Sequence, residues 1–373
     1  MEVAWLFEFP TLHGGERSLL ACWPGLRSNG WRPFALAPAE GPLAKALNRL
    51  GVEHLPFSVF DADGRRLPRQ VLRERLQAML RRQRPRLLHA NSLSMGRLSG
   101  PVAASAGVPS IAHLRDIVGL SSAAITDLNR HTRLLAVSRA TRDFHRSQGL
   151  HGDLCQVCYN GVDLERFRPR AATSWLHGQL RLPREIVFAV SIGQLVMRKG
   201  HDVLVRAAAQ LLNAWPDLHW LIAGERFSQK DEAVQYEAGL HAAISAAGLS
   251  KRFHFLGTIE NVAELLNEAT VLVHPSRQEP LGRVLLEAAA SGVPCIATDV
   301  GGTREVFGID EPAARLAPPG DHQALAAAVA ELMADCAERA RLALAARRRM
   351  EAFFDIRSVG QTLAQHYAAV AGW

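Results

Sequence analysis

No run of about 18 apolar residues occurs anywhere in the chain, so no membrane-spanning helix is expected. The opening, MEVAWLFEFP, lacks a basic leader and a long apolar core. It therefore reads as a first strand rather than an export signal, and a cytoplasmic protein is expected. Cysteine is sparse and odd in number, at five, which argues against a disulfide framework. Cys155 and Cys158 form a CxxC, but no second pair completes a metal-binding set. The segment LCQVCYNG has strand character, and residues three apart in a strand face opposite ways, so the two thiols are expected on opposite sides. Asp61-Ala62-Asp63 has the DxD form of a metal-binding motif but runs directly into Gly64, as an Asp-Gly turn does. No metal ligand set is expected. No short-period repeat or low-complexity tract is evident.

What the chain has is length, apolar content and positive charge. Its 373 residues are enough for two domains, and 48 % hydrophobic residues are enough for a large core. The net charge of +7 is concentrated in residues 64–88, GRRLPRQVLRERLQAMLRRQRPRLL. There Val71, Leu72, Leu76, Met79 and Leu80 share one helical stripe. The arginines lie elsewhere on the helix, as a solvated outer face over a packed one. Docking to an anionic membrane is the competing use, and would place the protein peripherally at the inner membrane face. Without an aromatic-rich or zinc-finger pattern beside the arginines, no nucleic-acid partner is expected.

Short apolar strands alternate with amphipathic helices, which predicts parallel sheets with crossover helices. Strands are expected at 3–9, 33–38, 86–91, 109–114, 133–138 and 155–160. After a break at 160–175, a second set follows at 186–193, 218–224, 252–257, 270–276 and 293–299. The expected fold is α/β, with two doubly wound Rossmann-like domains facing a cleft, over residues 1–168 and 169–353. Residues 354–373 are expected to form a C-terminal helix that packs back on the first domain. Ligands of such sheets bind beyond the carboxyl ends of the strands, so functional residues should follow strands.

The segment RQEPLGRVLLEAAASG, 277–292, fits that rule. A strand leads into it, a helix follows Gly282, and Gly292 stops the helix. The backbone of Pro280, Leu281, Gly282, Arg283 and Val284 opens the helix, where N–H groups attract phosphate oxygens. Glu279 and Glu287 are suited to accept hydrogen bonds from a sugar and from a ribose diol, since an ionised carboxylate only accepts. Phosphates on the backbone and hydroxyls on the carboxylates describe a nucleoside diphosphate sugar.

The run EPLGRVLLEAAASGVPCIATDVGGTRE resembles the E-x7-E segment of the retaining GT-B glycosyltransferases of family four. SIGQLVMRKGHDVLVRA, LIAGE, FLGTIENVAELLNEA, YNGVDLERFRP and FEFPTLHGGERSLL are similar to segments of that family. The resemblance implies a GT-B fold, a nucleotide-sugar donor held mainly by the second domain, and neither cofactor nor essential metal. It implies that Glu279 meets the transferred sugar, Glu287 the ribose, and Arg198 and Lys199 the diphosphate, following Gly193. Gly224 matches a strand-end glycine, while Thr258, Ile259 and Val262 match the loop beside the base. Gly14 and Gly15 match the Gly-rich loop after the first strand. In the family a histidine, followed by an aspartate, often comes after the strand that corresponds to 109–114 and faces the transferred sugar. Here either His113 takes that role or Arg115-Asp116 occupies the position, with His113 favoured. His89 and Asn91 end another strand, and Ser138 matches a family serine or caps a helix. The implied acceptor is a glycan or lipid-linked precursor. The alternative is a non-catalytic nucleotide-sugar-binding or scaffold protein on the same fold.

Overall fold

The computed structural model describes residues 1–373, which form two compact units. The first unit is Met1–Gly161 with Ile356–Trp373, and the second is Val162–Asp355. The passage between them thus lies at 161–162, where the sequence break had suggested residue 168.

In the first unit seven strands form one parallel sheet. They are β1 (Glu2–Leu6), β2 (Arg32–Ala37), β3 (Glu53–Pro56), β4 (Leu87–Ala90), β5 (Ser110–Leu114), β6 (Arg133–Ala136) and β7 (Cys155–Val157). Their spatial order is β3-β2-β1-β4-β5-β6-β7. The strands are apolar on both faces because helices cover both. Val3, Trp5 and Phe7 enter one core cluster while Ala4 and Leu6 enter the other. Cys155 and Cys158 likewise fall in different clusters, and burial raises their thiol pKa values to about 11 and about 12. Neither is a thiolate at neutral pH, so neither is a nucleophile or a ready metal ligand.

The helix Ile356–Ala371 completes this unit from the far end of the chain. Phe354–Asp355 separates it from the preceding helix, Cys336–Phe353. It buries Val359, Leu363, Ala364, Tyr367 and Val370 in the core cluster that holds Trp5. The Tyr367 hydroxyl accepts from Trp5 Nε1 at 3.1 Å.

The basic helix spans Arg69–Gln83 and buries Leu72, Leu76 and Leu80, with Val71 and Met79 half-buried beside them. Three of the segment's arginines meet acids: Arg66 pairs with Glu8 at 2.7 Å, Arg73 with Asp127 at 2.9 Å and Arg69 with Asp127 at 3.8 Å. Arg75, Arg81 and Arg82 stay exposed. Asp61 accepts from the backbone N–H groups of Asp63 and Arg65, the hydrogen bonding of an Asx turn.

In the second unit six parallel strands are β8 (Val187–Ile192), β9 (Leu218–Ala223), β10 (Phe253–Gly257), β11 (Val271–His274), β12 (Cys295–Thr298) and β13 (Arg315–Ala317). Their order is β10-β9-β8-β11-β12-β13. Both sheets reverse strand order between their first and fourth strands, the topological switch point where doubly wound sheets bind ligands. In the second unit that point lies between β8 and β11. No helix of the chain is long and apolar enough to cross a membrane.

Candidate active site

Two loops meet at the switch point of the second unit. The loop after β8 passes Gly193, forms a 3-10 turn at Met197–Lys199 and enters the helix His201–Leu211. The loop after β11 runs from Pro275 to Gly282 and enters the helix Arg283–Ala290. Gly200 lets them touch: at φ 69°, a Cβ there would lie 2.0 Å from the Pro275 carbonyl oxygen. Gly282, at φ 85°, starts the second helix, and a Cβ there would meet Leu285 Cδ1 at 2.8 Å and Glu279 Cγ at 3.1 Å. Only a glycine holds both positions without strain.

This close approach brings Lys199 and Glu279 into contact. Lys199 Nζ donates to Glu279 Oε2 at 2.5 Å, with the two side chains 13 % and 7 % exposed. His274, the last residue of β11, places Nε2 at 2.7 Å from the same oxygen and 2.9 Å from Ser276 Oγ. Thr298 Oγ1 in turn donates to the Ser276 carbonyl. Burial alone would raise the Glu279 pKa; the Lys199 ammonium and the His274 hydrogen bond outweigh it and hold the carboxyl well below its usual range. An ionised Glu279 only accepts, so His274 Nε2 carries the proton. Burial, and then the Lys199 charge, lower the His274 pKa and keep its ring neutral. The buried His201 is lowered to about 3, by burial and then by His274 and Lys199. The site therefore holds one buried ion pair among neutral imidazoles.

The other expected residues lie on the same carboxyl edge of the sheet. Arg198 is exposed beside Lys199. Arg283 and Glu287 pair with each other at 2.7 Å, one turn apart on the second helix. Pro280 is half-buried, and Leu281 and Val284 are buried. Gly193 N–H donates to Ala223 O, and Gly224 N–H to Gly257 O, so these glycines align the ends of β8, β9 and β10. Thr258 follows β10, exposed, with its N–H donating to Glu225 Oε1 at 3.0 Å. Ile259 and Val262 are half-buried beyond it.

Gly14, Gly15 and His113 belong to the first unit. Gly14 opens the helix Gly14–Ala21, capped from His13, whose N–H donates to Glu16 Oε2 at 3.0 Å. A Cβ on Gly15 would stand 3.0 Å from Arg115 Cδ. His113, favoured over Arg115-Asp116 for contact with the transferred sugar, is a β5 residue. It is 4 % exposed, with its ring stacked on His89 at 5.4 Å between centroids. The residue that leaves the strand end is Arg115, which is half-buried. Its guanidinium is fixed by Asn91 Oδ1 at 2.8 Å, Asn160 Oδ1 at 2.9 Å and His113 Nδ1 at 3.2 Å. His89 is fully buried, with Nδ1 2.5 Å from the Tyr367 hydroxyl. Ser138 caps the helix Arg139–Ser147 by accepting from Thr141 N–H at 3.0 Å.

The family model for Glycosyl transferases group 1 matches residues 176–349, and that for Glycosyltransferase Family 4 matches residues 12–166. The two matches take in both units. The chain belongs to family four of the GT-B glycosyltransferases. It is 34 % identical over 215 residues to a glycogen synthase of Mycobacterium tuberculosis, covering 57 % of this chain and 48 % of that protein. It is 32 % identical over 190 residues to the lipopolysaccharide core biosynthesis mannosyltransferase LpsB of Rhizobium meliloti, covering 51 % and 52 %. The chain thus spans about half the length of these curated relatives. Among solved structures, Anabaena HepE in complex with UDP-glucose is similar at a TM-score of 0.87 and 22 % identity, over 99 % of this chain and 100 % of that one. At that identity the likeness concerns the fold.

Several residues around this site escape a reading of the sequence. His274 and Ser276 flank Pro275 in the strand-end tripeptide His-Pro-Ser, and a polar pair at that place is the signal that could have found them. Asp202, Tyr236 and Arg277 gather from three separate segments, and their meeting is a product of folding alone.

Proposed function

We propose that the chain moves a glycosyl group from a nucleoside diphosphate sugar to a hydroxyl acceptor with retention of configuration. The observation that carries this reading is the Lys199–Glu279 contact at 2.5 Å in the switch-point crevice. Lys199 and His274 both meet the Glu279 carboxylate at Oε2, so Oε1 is the oxygen offered to hydroxyls of the transferred sugar. The donor's diphosphate takes the Lys199 ammonium and the exposed Arg198, which stabilise the negative charge that grows on it as the glycosidic bond breaks. The acceptor oxygen bonds to the anomeric carbon on the face the diphosphate leaves. Its proton passes to the departing phosphate oxygen. Glu287 accepts from the ribose diol, shared with Arg283. The solved complex of HepE with UDP-glucose supports a nucleoside diphosphate hexose as the class of donor. The similarity to LpsB, named for lipopolysaccharide core biosynthesis, supports a glycan or lipid-linked acceptor.

The test is release of nucleoside diphosphate from a panel of UDP-, GDP- and ADP-sugars. Lys199→Ala is expected to lower turnover by about two orders of magnitude, the scale of losing one main charge stabiliser. An undiminished rate with the donor still bound would contradict the role of Lys199. A wild-type protein that binds a nucleotide sugar and releases nothing would instead be a binding protein.

A further inference from the structure

Lys199 and Glu279 arrive on different loops, and the reaction needs their spacing fixed to a fraction of an ångström. One side chain joins those loops on both sides of Lys199. Arg277 N–H donates to the Arg198 carbonyl at 2.8 Å, and Arg277 Nη1 donates to the Met197 carbonyl at 2.8 Å. The guanidinium then grips Asp202 as a fork, Nη1 to Oδ1 at 2.7 Å and Nη2 to Oδ2 at 2.6 Å. Asp202 is itself held from behind, since the Tyr236 hydroxyl donates to Oδ1 at 3.1 Å and Arg206 Nη2 to Oδ2 at 3.0 Å. The turn 197–199 is thus anchored at its backbone before Lys199 and at a side chain after it. Its anchor sits two residues from Glu279.

We infer that Arg277 and Asp202 are positioning residues that hold the cation-bearing turn in register with the carboxylate-bearing loop. They act through Lys199 and Glu279. The inference rests on the donor reading above. A two-pronged guanidinium–carboxylate contact fixes orientation as well as distance, which a lysine cannot do. The side chains of the pair are 33 % and 31 % exposed, so water screens them and little of the fold's stability depends on them. A misplacement of about 1 Å at reacting groups costs about a hundredfold in rate. A positioning role therefore predicts a large loss of turnover with a small loss of stability.

The experiment compares the full chain with Arg277→Ala, Arg277→Lys, Asp202→Asn and the Asp202→Asn/Arg277→Ala double variant. The readouts are kcat and KM for the nucleotide sugar that the wild type turns over, thermal melting, and deuterium exchange of amides 196–202. Each single variant is expected to lose about ten- to a hundredfold in kcat, with donor KM within a few-fold and melting little changed. The double variant should be no worse than Arg277→Ala, because both changes break one contact. Amides 196–202 should exchange faster. Wild-type kcat in Asp202→Asn, additive losses, or full rescue by Arg277→Lys would overturn the inference; the last would mean Arg277 acts as a charge on the donor. A wild type silent towards every nucleotide sugar would fault the donor reading instead. Exchange then still decides the pinning, and unchanged exchange in Arg277→Ala would overturn it.

Discussion

The Lys199 ammonium helps to keep the buried Glu279 ionised, against the burial that would protonate it. Replacing either leaves an uncompensated charge in a nearly closed site, which is more costly than losing an exposed pair. The neighbouring imidazoles have the opposite requirement, because burial favours their neutral forms. His201 shows the consequence for stability. Its pKa is lowered to about 3 in the folded chain, against about 6.5 when unfolded. Between those values the unfolded chain binds a proton that the folded one does not. The stability His201 contributes is therefore whole above about pH 6.5 and is lost as the pH falls. From pH 7 to pH 5 the loss from this one ring is about 2 kcal/mol. His201→Gln should unfold in urea with a pH dependence shallower by that amount over the same interval. Equal slopes for the variant and the wild type would show that the ring protonates freely in the fold.

Among the elements, those buried on both faces were the legible ones. FALA in β2, HWLIA in β9 and VLVH in β11 are nearly unbroken apolar runs, and each is a strand near where its run lies. Two of the four edge strands, β3, EHLP, and β13, RLA, are short, partly wet and present no such run. The site divides along the same line. Glu279 and Lys199 could be read because strand, glycine and helix follow one another locally. Arg277, Asp202 and Tyr236 could not, since their relation exists only once β8 and β11 lie side by side. The glycines at these loops make that closeness a measurable quantity. Gly200 and Gly248 share a left-handed backbone, at φ 69° and 70°, but a Cβ on Gly248 would meet nothing within 4 Å. Gly248→Ala should therefore cost about 1–2 kcal/mol, for the backbone alone. Gly200→Ala adds an overlap with the Pro275 carbonyl and should cost at least about 2 kcal/mol more. Turnover should fall beyond what melting explains in Gly200→Ala but not in Gly248→Ala. Equal melting temperatures for the two variants would show that the loops part readily.

At the scale of the molecule, the chain returns to its first unit after completing its second. That return is energetic as well as topological. Val359, Leu363, Ala364, Tyr367 and Val370 leave water against the cluster that contains Trp5 and Trp31. At about 1.5–3 kcal/mol for a large buried apolar side chain, the helix contributes on the order of 8 kcal/mol, an upper figure for area counted against an extended chain. A domain of this size is stable by about 5–15 kcal/mol in all, so the contribution is comparable to the whole. Residues 1–161 alone should therefore lack a cooperative unfolding transition and bind hydrophobic dye. Addition of a peptide of residues 354–373 should restore both the transition and dye exclusion. Residues 162–355 carry their own core and both members of the Lys199–Glu279 pair, and should melt cooperatively and be stabilised by a nucleoside diphosphate. Sharp melting of residues 1–161 without the peptide would mean that the terminal helix merely decorates a unit already complete. In that case the Trp5–Tyr367 hydrogen bond would be a consequence of the fold and no part of its cause.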